Sequence, residues 1–428
     1  MIVRREAVLC LEEVSRDGAY ANLIVPNYTK KLTDARQEGL FRRLVYGTLE
    51  NLLYLDYILE QVSGKKLESL DERVLWGIRI GTYQLCFMDL KDHGAIYETV
   101  EAIKRLNRRH SAGFVNGVLR SVQRKKEKLL KIEDQEPLDE LSIKTSIPKF
   151  ILEQWLELWG INTVIEIAES FQKTAKFFIR PNPIKIADEI LLRKLEEQGY
   201  TLDKSESVEH CYSIEKPFHI VETNAFKEGL FAIQDSSSIN VVNSMNIEST
   251  DTVLDMCAAP GGKACHIAAL ATNGAVVAAD IYEHKVGLIK DYADRMGIKN
   301  MEVVQQDSRK ERPYWCEKFD KILLDAPCSG LGVIGRKPDL RWKRKREDIS
   351  ELAAIQSELL EMSYKYLKPG GILTYSVCTM SKEETVDHFY RLDNNPNWER
   401  IDELEGQFLL PMKTEGDGFY VMHWKKRA

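Results

Sequence analysis

TVLDMCAAPGGK, residues 252–263, decides the fold of this chain. Its first residues form the short apolar run that is typical of a buried strand. The small residues and glycines that follow predict a tight turn into a helix, and such a turn lets a ligand approach the backbone and the helix N-terminus. We therefore predict a ligand site directly after this strand.

The same alternation of strand and helix continues to the C-terminus. Strands are predicted at residues 252–256, Ala275–Asp280, Met301–Gln305, Lys321–Asp325 and Ile372–Val377, with helices between them at Lys263–Leu270 and Ile349–Leu367. This order predicts right-handed crossovers and a mostly parallel, doubly wound sheet. We assign residues 234–428 to a Rossmann-like α/β domain.

The first part of the chain has a different pattern. Residues 1–132 are predicted to be all-helical, because apolar residues recur at spacings of three and four. The acidic stretch 133–140 is interpreted as a linker. Residues 141–233 mix helical segments with predicted strands at Phe177–Arg180 and Leu230–Gln234, which indicates a small α+β module that links the domains or binds RNA.

Three ligand classes compete for the glycine turn. A P-loop needs glycine at 257 and serine or threonine at 264, but the chain has Cys257 and Ala264, and the dinucleotide motif GxGxxG is also absent. S-adenosylmethionine remains, because its ribose suits an acid at the end of the second strand, where Asp280 stands. Asp307, after the third strand, is a candidate for the adenine amino group. A lone aspartate is more often a helix cap or a turn residue than a ligand contact. Here Asp280, Asp307 and Asp325 end successive predicted strands, and this series favours a ligand site.

Two cysteines also follow predicted strands. Cys328 lies in DAPCSG and Cys378 in YSVCT. Ligands bind beyond the carboxyl ends of the strands in open α/β sheets, so both thiols are expected to face one crevice. A cysteine taken at random is more often a small, buried apolar residue than a catalytic one.

Composition restricts the class of protein. The chain has 428 residues, 44% of them hydrophobic and 29% charged, with a formal charge of -6. Its eight cysteines form no CxxC pair, so neither a disulfide framework nor a metal site is expected. We see no signal peptide and no apolar run long enough to cross a membrane. These features predict a cytoplasmic protein.

The motifs DMCAAPGGK, DAPCSG and YSVCT, in this order and with LKPGG before the last, resemble those of RNA (cytosine-C5)-methyltransferases. HGAIYETV at 93–100 and GFVNGVLR at 113–120 are similar to the NusB-like helical RNA-binding domain, and FIRPN at 178–182 is similar to the R-x-N segment of the family. Together they narrow the resemblance to the RsmB (Sun/Fmu) type, which methylates a cytosine of bacterial 16S rRNA.

The resemblance implies a role for each site residue. Carbon 5 of cytosine is a poor nucleophile until a thiolate adds to carbon 6, and cysteine suits that addition. The resemblance makes Cys378 the nucleophile and Cys328 the residue that assists elimination and release. Asp325 would hold the cytosine edge or protonate the ring nitrogen, and Lys263 would help to place the base. The residues implied to bind S-adenosylmethionine are Asp255, Cys257, Ala258, Ala259, Pro260, Gly261, Gly262, Lys263, Asp280, Asp307 and Asp325.

Two basic clusters are candidates for binding RNA through its phosphates. A run of charge is usually only a solvated face, but one cluster follows the Cys328 loop and carries an aromatic residue that can stack on an unpaired base. The candidates are Arg336, Lys337, Arg341, Trp342, Lys343 and Arg344 in that cluster, and Arg120, Arg124 and Lys125 in the helical domain. The expected partner is 16S rRNA, free or in a partly assembled small subunit, and the protein is expected to act as a monomer.

Other functions compete with this hypothesis. The same chemistry on tRNA or 23S rRNA is an alternative, and a non-catalytic NusB-like RNA-binding factor is another. The second would leave both motif cysteines without a role. An amino-methyltransferase is disfavoured, because those enzymes use an (Asp/Asn)-Pro-Pro-aromatic turn where this chain has DAPC at 325–328.

Overall fold

A computed structural model describes residues 2–16, 18–402 and 405–428. The helices are α1 (Ile2–Arg16), α2 (Ala21–Thr29), α3 (Ala35–Glu50), α4 (Leu52–Glu60), α5 (Glu72–Phe87), α6 (Asp92–Arg105), α7 (Ala112–Leu129), α8 (Pro137–Thr145), α9 (Lys149–Leu156), α10 (Ile161–Ser170), α11 (Asp188–Glu196), α12 (Asn224–Lys227), α13 (Ser236–Asn243), α14 (Gly262–Leu270), α15 (Glu283–Met296), α16 (Leu340–Lys343), α17 (Arg346–Tyr366), α18 (Val386–Asp393) and α19 (Pro411–Thr414). The strands are β1 (Phe177–Pro181), β2 (Leu202–Lys204), β3 (Tyr212–Ile214), β4 (Phe231–Ile233), β5 (Thr252–Asp255), β6 (Ala275–Asp280), β7 (Met301–Gln305), β8 (Phe319–Asp325), β9 (Leu367–Val377), β10 (Trp398–Arg400), β11 (Gln407–Leu409) and β12 (Phe419–Lys426).

The chain forms two compact units. Residues 1–173 and 334–344 make the first, which we call the helical unit, and residues 174–333 and 345–428 make the second, the sheet unit. An apolar core in the helical unit receives fully buried side chains from α1–α7. They include Leu11, Phe41, Leu55, Ile78, Ile103 and Val115. The predicted all-helical fold of this region is confirmed.

The predicted linker at 133–140 is wrong from Pro137 onward, because α8 begins there. Proline suits the first helical position, since its fixed φ matches the helix and its missing N–H would have no helical partner. Asp139 and Glu140 lie in the first turn, where carboxylates interact favourably with the helix dipole. Helices α8–α10 belong to the helical unit, and the smaller sheet begins at Phe177, where its first strand was predicted.

The main sheet of the sheet unit has the order β10-β12-β9-β8-β5-β6-β7, and β11 pairs with β12. The five strands from β9 to β7 are parallel and correspond to the five predicted ones. The C-terminal strands β10, β11 and β12 were not predicted, and their antiparallel pairing makes the sheet mixed. Strand β12 is buried over most of its length, so it lacks the alternation that marks a half-exposed strand.

A second, four-stranded antiparallel sheet precedes it, with the order β2-β3-β1-β4. Asn182, at the end of β1, is fully buried, and its Nδ2 donates to the carbonyl oxygens of Gly229 and Met296 at 2.9 and 2.8 Å. Met296 ends α15 of the main α/β layer. The asparagine of the FIRPN segment therefore ties the small sheet to the Rossmann-like domain.

Residues 334–344 depart from the sheet unit and complete the helical unit. The Arg341 side chain is 1% exposed, and its Nη1 lies 3.1–3.2 Å from the carbonyl oxygens of Glu50, Thr145 and Ser146. Burial lowers the pKa of Arg341 to about 10, which still leaves the guanidinium charged at neutral pH. The prediction that Arg341 binds RNA is corrected, because its charge serves buried carbonyls instead.

The two residues after Arg341 are also engaged within the helical unit. Trp342 Nε1 donates to the carbonyl oxygen of Leu49 at 2.9 Å, and the indole packs against the apolar core. Lys343 bonds the carbonyl oxygen of Ala19 and the buried carboxylate of Asp339. Trp342 and Lys343 thus have structural contacts, but both are partly exposed, and their contact with RNA stays a prediction. For Arg336, Lys337 and Arg344, RNA contact stays a prediction.

We predict that Arg341→Ala lowers the free energy of unfolding by roughly 2–4 kcal/mol, because it strips three buried carbonyls of a charged donor. Chemical denaturation followed by circular dichroism measures this loss. Lys337→Ala, at an exposed position of the same segment, is the control and is expected to change little. Equal stability of the two variants would contradict the structural role of Arg341.

Candidate active site

The pairing of neighbouring parallel strands brings the predicted site residues together. Asp325 at the end of β8 lies opposite Ser376 in β9. Cys328 and Cys378 follow within three residues of this pair, and their Sγ atoms lie 3.2 Å apart. The two thiols are within hydrogen-bonding distance, so they form one site.

Glycine at 332 lets the Cys328 loop pass close to its neighbours. Gly332 N donates to the carbonyl oxygen of Cys378 at 3.0 Å, and Gly418 N donates to the carbonyl oxygen of Gly332 at 2.8 Å. A Cβ at position 332 would lie 1.9 Å from the Gly418 carbonyl oxygen. Any larger residue would therefore push the two cysteine loops apart.

Asp325 is held from two sides. Lys263 Nζ lies 2.7 Å from its Oδ2, and Ser376 Oγ donates to its Oδ1 at 2.7 Å. Burial acts to lower the pKa of Lys263, but the Asp325 carboxylate outweighs it and the net shift is upward. Lys263 also lies 5.1 Å from the ring centroid of Phe419. Ser376 was not predicted, because a serine inside a strand carries no motif signal of its own.

A cavity of about 220 Å³ opens beside this ion pair. Of the predicted residues it is lined by Asp255, Cys257, Ala258, Ala259, Pro260, Gly262, Lys263 and Asp325. Sequence reasoning missed the other lining residues, which are Ile233, Gln234, Asp235, Ser238 and Tyr292. Helix α13 begins within the run QDSSS at 234–238, where Asp235 is the N-cap. This N-cap is the local sequence signal that could have identified the segment.

The remaining predicted cofactor residues are not in the cavity lining. Gly261 shapes the turn, since its φ of 109° lies in the left-handed region and it precedes α14. Asp280 accepts from the backbone N–H groups of Ala259 and Tyr282, and so supports the same turn. Asp307 is bound through both oxygens by Arg309, which lowers the pKa of Asp307. Contact of Asp280 and Asp307 with a ligand stays a prediction.

Asp255 is a buried acid at the cavity wall. It is 1% exposed, its Oδ1 accepts from Cys257 N at 3.3 Å, and its Oδ2 has no hydrogen-bond partner among the described residues. Burial, helped by the charge of Asp325, raises the pKa of Asp255 to about 8. An unpartnered buried oxygen at a cavity wall is a natural contact for a polar or cationic ligand.

The two thiols have different surroundings. The hydrogen bond with Cys378, then burial, and then the nearby charges of Cys378, Glu384 and Asp325 raise the pKa of the Cys328 thiol well above its usual value. Cys328 therefore keeps its proton at neutral pH.

The candidate basic residues of the N-terminal region lie on α7. Arg124 and Lys125 are exposed, and Arg120 is half-buried with its Nη1 bonded to Gln123 Oε1 at 3.1 Å.

In the residues described here, no group of three or more histidine, cysteine or acidic side chains is arranged to hold a metal ion. Nor does any described helix have the length and apolarity needed to cross a bilayer.

The raised pKa of Asp255 predicts a dependence of stability on pH. Between its usual value of 3.8 and about 8, the folded protein holds a proton that the unfolded chain releases, so this contribution to stability is lost as pH rises. Asp255→Asn cannot titrate and should remove a slope of up to about 1.4 kcal/mol per pH unit. Urea unfolding between about pH 5 and pH 8 measures the difference, and parallel pH profiles for the two proteins would contradict a neutral Asp255.

Comparison with known proteins agrees with this geometry along the chain. The NusB family model matches residues 1–124, and a model described as the ferredoxin-like domain of RsmF/B-like methyltransferases matches 147–221. The model for 16S rRNA methyltransferase RsmB/F matches residues 242–425, which include both cysteines and the cavity turn. The predicted combination of a helical NusB-like domain, an α+β module and a Rossmann-like methyltransferase domain is confirmed.

Full-length relatives give the same result. The chain is 36% identical to the probable ribosomal RNA small subunit methyltransferase B of Bacillus subtilis, covering 100% of this chain and 99% of the relative. It is 32% identical to ribosomal RNA small subunit methyltransferase B of Klebsiella pneumoniae, covering 99% and 98%. The crystal structure of PH0851 superposes with a TM-score of 0.84 at 26% identity, covering 99% of this chain and 98% of that one. The chain belongs to the ribosomal RNA small subunit methyltransferase B family.

Proposed function

We propose that this protein methylates carbon 5 of a cytosine in 16S rRNA through a covalent adduct with Cys378. The observation that carries the proposal is the pair of thiols 3.2 Å apart, next to an aspartate that Lys263 and Ser376 hold in place. Methylation at a nitrogen or oxygen needs no thiol nucleophile, whereas methylation at carbon 5 does. The names of the relatives supply the small-subunit rRNA as the substrate class.

S-adenosylmethionine fits the residues of the cavity. The turn at 257–262 carries mostly small side chains, and α14 begins there with its N-terminal N–H groups. The unpartnered Oδ2 of Asp255 offers such a ligand a polar contact. When bound, the cofactor supplies an electrophilic methyl group. The residues of the protein then have to make carbon 5 of the base a nucleophile.

Cys378 performs the activation. Its thiolate forms a bond to carbon 6, and the electron pair of the C5–C6 double bond moves into the ring, where N3 and O2 share the charge. The Lys263 ammonium stabilises that developing charge. Asp325 accepts from the exocyclic amino group, because its contacts with Lys263 and Ser376 are those of an acceptor. Those contacts favour the holding role of Asp325 over proton donation. Carbon 5 then takes the methyl group, and the adduct becomes neutral.

Cys328 completes the reaction. Its thiol loses a proton to solvent, and the resulting thiolate removes the proton from carbon 5. The C5–C6 double bond re-forms, the bond from carbon 6 to Cys378 breaks, and Cys378 leaves as a thiolate. Cys328 ends as a thiol, so both residues return to their starting states. The net products are the methylated base, the demethylated cofactor and one proton.

The two cysteine variants test this mechanism. Cys378→Ala should abolish methylation of unmodified 16S rRNA, read as bisulfite-resistant cytosine, while cofactor affinity changes less than about threefold. Cys328→Ala should form the bond to carbon 6 but fail to release it, so a protein–RNA adduct should accumulate on a denaturing gel. Wild type gives one resistant cytosine and no adduct. Methylation by the Cys378 variant, or no adduct with the Cys328 variant, would overturn the assigned roles.

We further propose that α7 contributes to RNA affinity. Arg124 and Lys125 are exposed on one helix of a domain that belongs to the NusB family. Arg124→Glu with Lys125→Glu should weaken binding, and should reduce the slope of log K against log salt by about 0.7–0.9 for each phosphate that the helix no longer neutralises. Lys30→Glu with Arg36→Glu, at exposed positions outside this helix, is the control. An unchanged salt slope would leave α7 a solvated face.

A further inference from the structure

A buried carboxylate lies between the two cysteine loops. Glu384 is 0% exposed and lies six residues after Cys378, outside every motif that the sequence analysis used. Both of its oxygens are surrounded by donors. Its partners are Ser329 N at 2.9 Å, Ser329 Oγ at 2.5 Å, Ser381 Oγ at 2.7 Å, Gln356 Nε2 at 3.0 Å and Thr379 Oγ1 at 3.3 Å.

These partners belong to both cysteine loops. Ser329 directly follows Cys328, and Thr379 directly follows Cys378. The two hydroxyl groups also lie 2.7 Å from each other. A single carboxylate therefore fixes the residues next to both thiols, and the separation of the thiols depends on it.

A third contact reaches the Cys328 loop from α17. Gln356 is fully buried, and its Nε2 donates to the carbonyl oxygen of Pro327 at 2.9 Å as well as to Glu384. Its Oε1 accepts from the Tyr375 hydroxyl at 3.1 Å. The amide is thus fixed in the orientation that donates to Glu384.

Glu384 has no ion-pair partner among the lysine and arginine side chains of the described residues. Burying a carboxylate without a cation is costly unless several donors compensate, and here a backbone N–H, a side-chain amide and the neighbouring hydroxyl groups do so. A purely structural clamp could use a neutral amide, because hydroxyl groups both donate and accept. The negative charge therefore calls for a further explanation. It acts on the Cys328 thiol, and is one of the causes that raise its pKa.

We propose that Glu384 is a positioning residue of the thiol pair: it holds the Cys328 and Cys378 loops in contact and places a buried negative charge next to the Cys328 loop. Both features exist whatever the substrate is, and only their effect on kcat rests on the function proposed above.

The test compares Glu384→Gln with Glu383→Gln in the full-length protein. Glu383 is the adjacent residue, is partly exposed and bonds Ser350, so its variant loses the same formal charge without touching either cysteine loop. The first readout is the pH dependence of Cys328 alkylation by iodoacetamide, followed by mass spectrometry of the peptide that carries it. Both variants carry Cys378→Ser in this measurement, so that the neighbouring thiol does not react first.

We expect Glu384→Gln to move the midpoint of Cys328 alkylation to lower pH by about one unit, because a buried charge near the thiolate is removed. With Cys378 restored, its kcat for methyl transfer should fall at least about tenfold with KM for RNA nearly unchanged. Glu384→Asp keeps the charge but shortens the reach, so it should retain the alkylation midpoint and still lose kcat. Glu383→Gln should match wild type in both measurements.

An unchanged midpoint in folded Glu384→Gln would overturn the electrostatic role, and an unchanged kcat would overturn the positioning role. If Glu384→Gln does not fold, Thr379→Val tests the positioning role instead, because it removes one bridging hydroxyl group and keeps the charge of Glu384. It should lower kcat and keep the midpoint, and full activity would refute the clamp. The alkylation measurement needs no RNA, so the two proposals can fail separately. If Glu384→Gln shifts the alkylation midpoint but the protein does not methylate carbon 5, the proposed function is wrong and the electrostatic role of Glu384 stands.

Discussion

The register between β8 and β9 is the constraint on which the site depends. It sets Asp325 opposite Ser376, so that the serine hydroxyl bonds the carboxylate and the two cysteines follow side by side. Successive side chains of a strand point to opposite faces, so a slip of one residue would turn Asp325 and Ser376 away from each other. The approach of the two thiols, the ion pair with Lys263 and the cavity wall formed by Asp325 would all disappear together. The chemistry therefore depends on backbone pairing before it depends on any single side chain.

The chain that follows the Cys328 loop passes from one unit to the other. After Val333 the chain leaves the sheet unit and contributes residues 334–344 to the helical unit. Arg341 then bonds carbonyls of residues that lie about 200 and 290 positions earlier in the chain. The NusB match ends at residue 124, so it does not include this segment. The helical unit is therefore not built from N-terminal residues alone, since it includes residues from the middle of the methyltransferase sequence.

Sequence patterns predicted the parallel strands well, because short apolar runs such as that of β6 end at an acid or a turn. They failed at β12, where burial on both faces removes the alternation that identifies a strand. Arg341, within the basic run at 336–346, was misread for a different reason. Charge is visible in a sequence but burial is not, and Arg341 is a buried donor within an otherwise basic stretch. Glu384 was not predicted as a site residue for the same reason, because no local sequence feature distinguishes it from its neighbour Glu383.

The unequal environments of the two thiols suit the order of the proposed reaction. Before the base is attacked, the hydrogen bond and charge of Cys378 are the main reasons, beside burial, that Cys328 keeps its proton. In the proposed reaction Cys378 becomes a neutral thioether when it bonds to carbon 6, and it would then no longer oppose ionisation of Cys328. Cys328 would therefore act as a base after the adduct exists. A thiol that ionised earlier would compete with Cys378 for carbon 6. In the proposed mechanism, the contact between the two cysteines thus sets the order of their roles as well as their proximity.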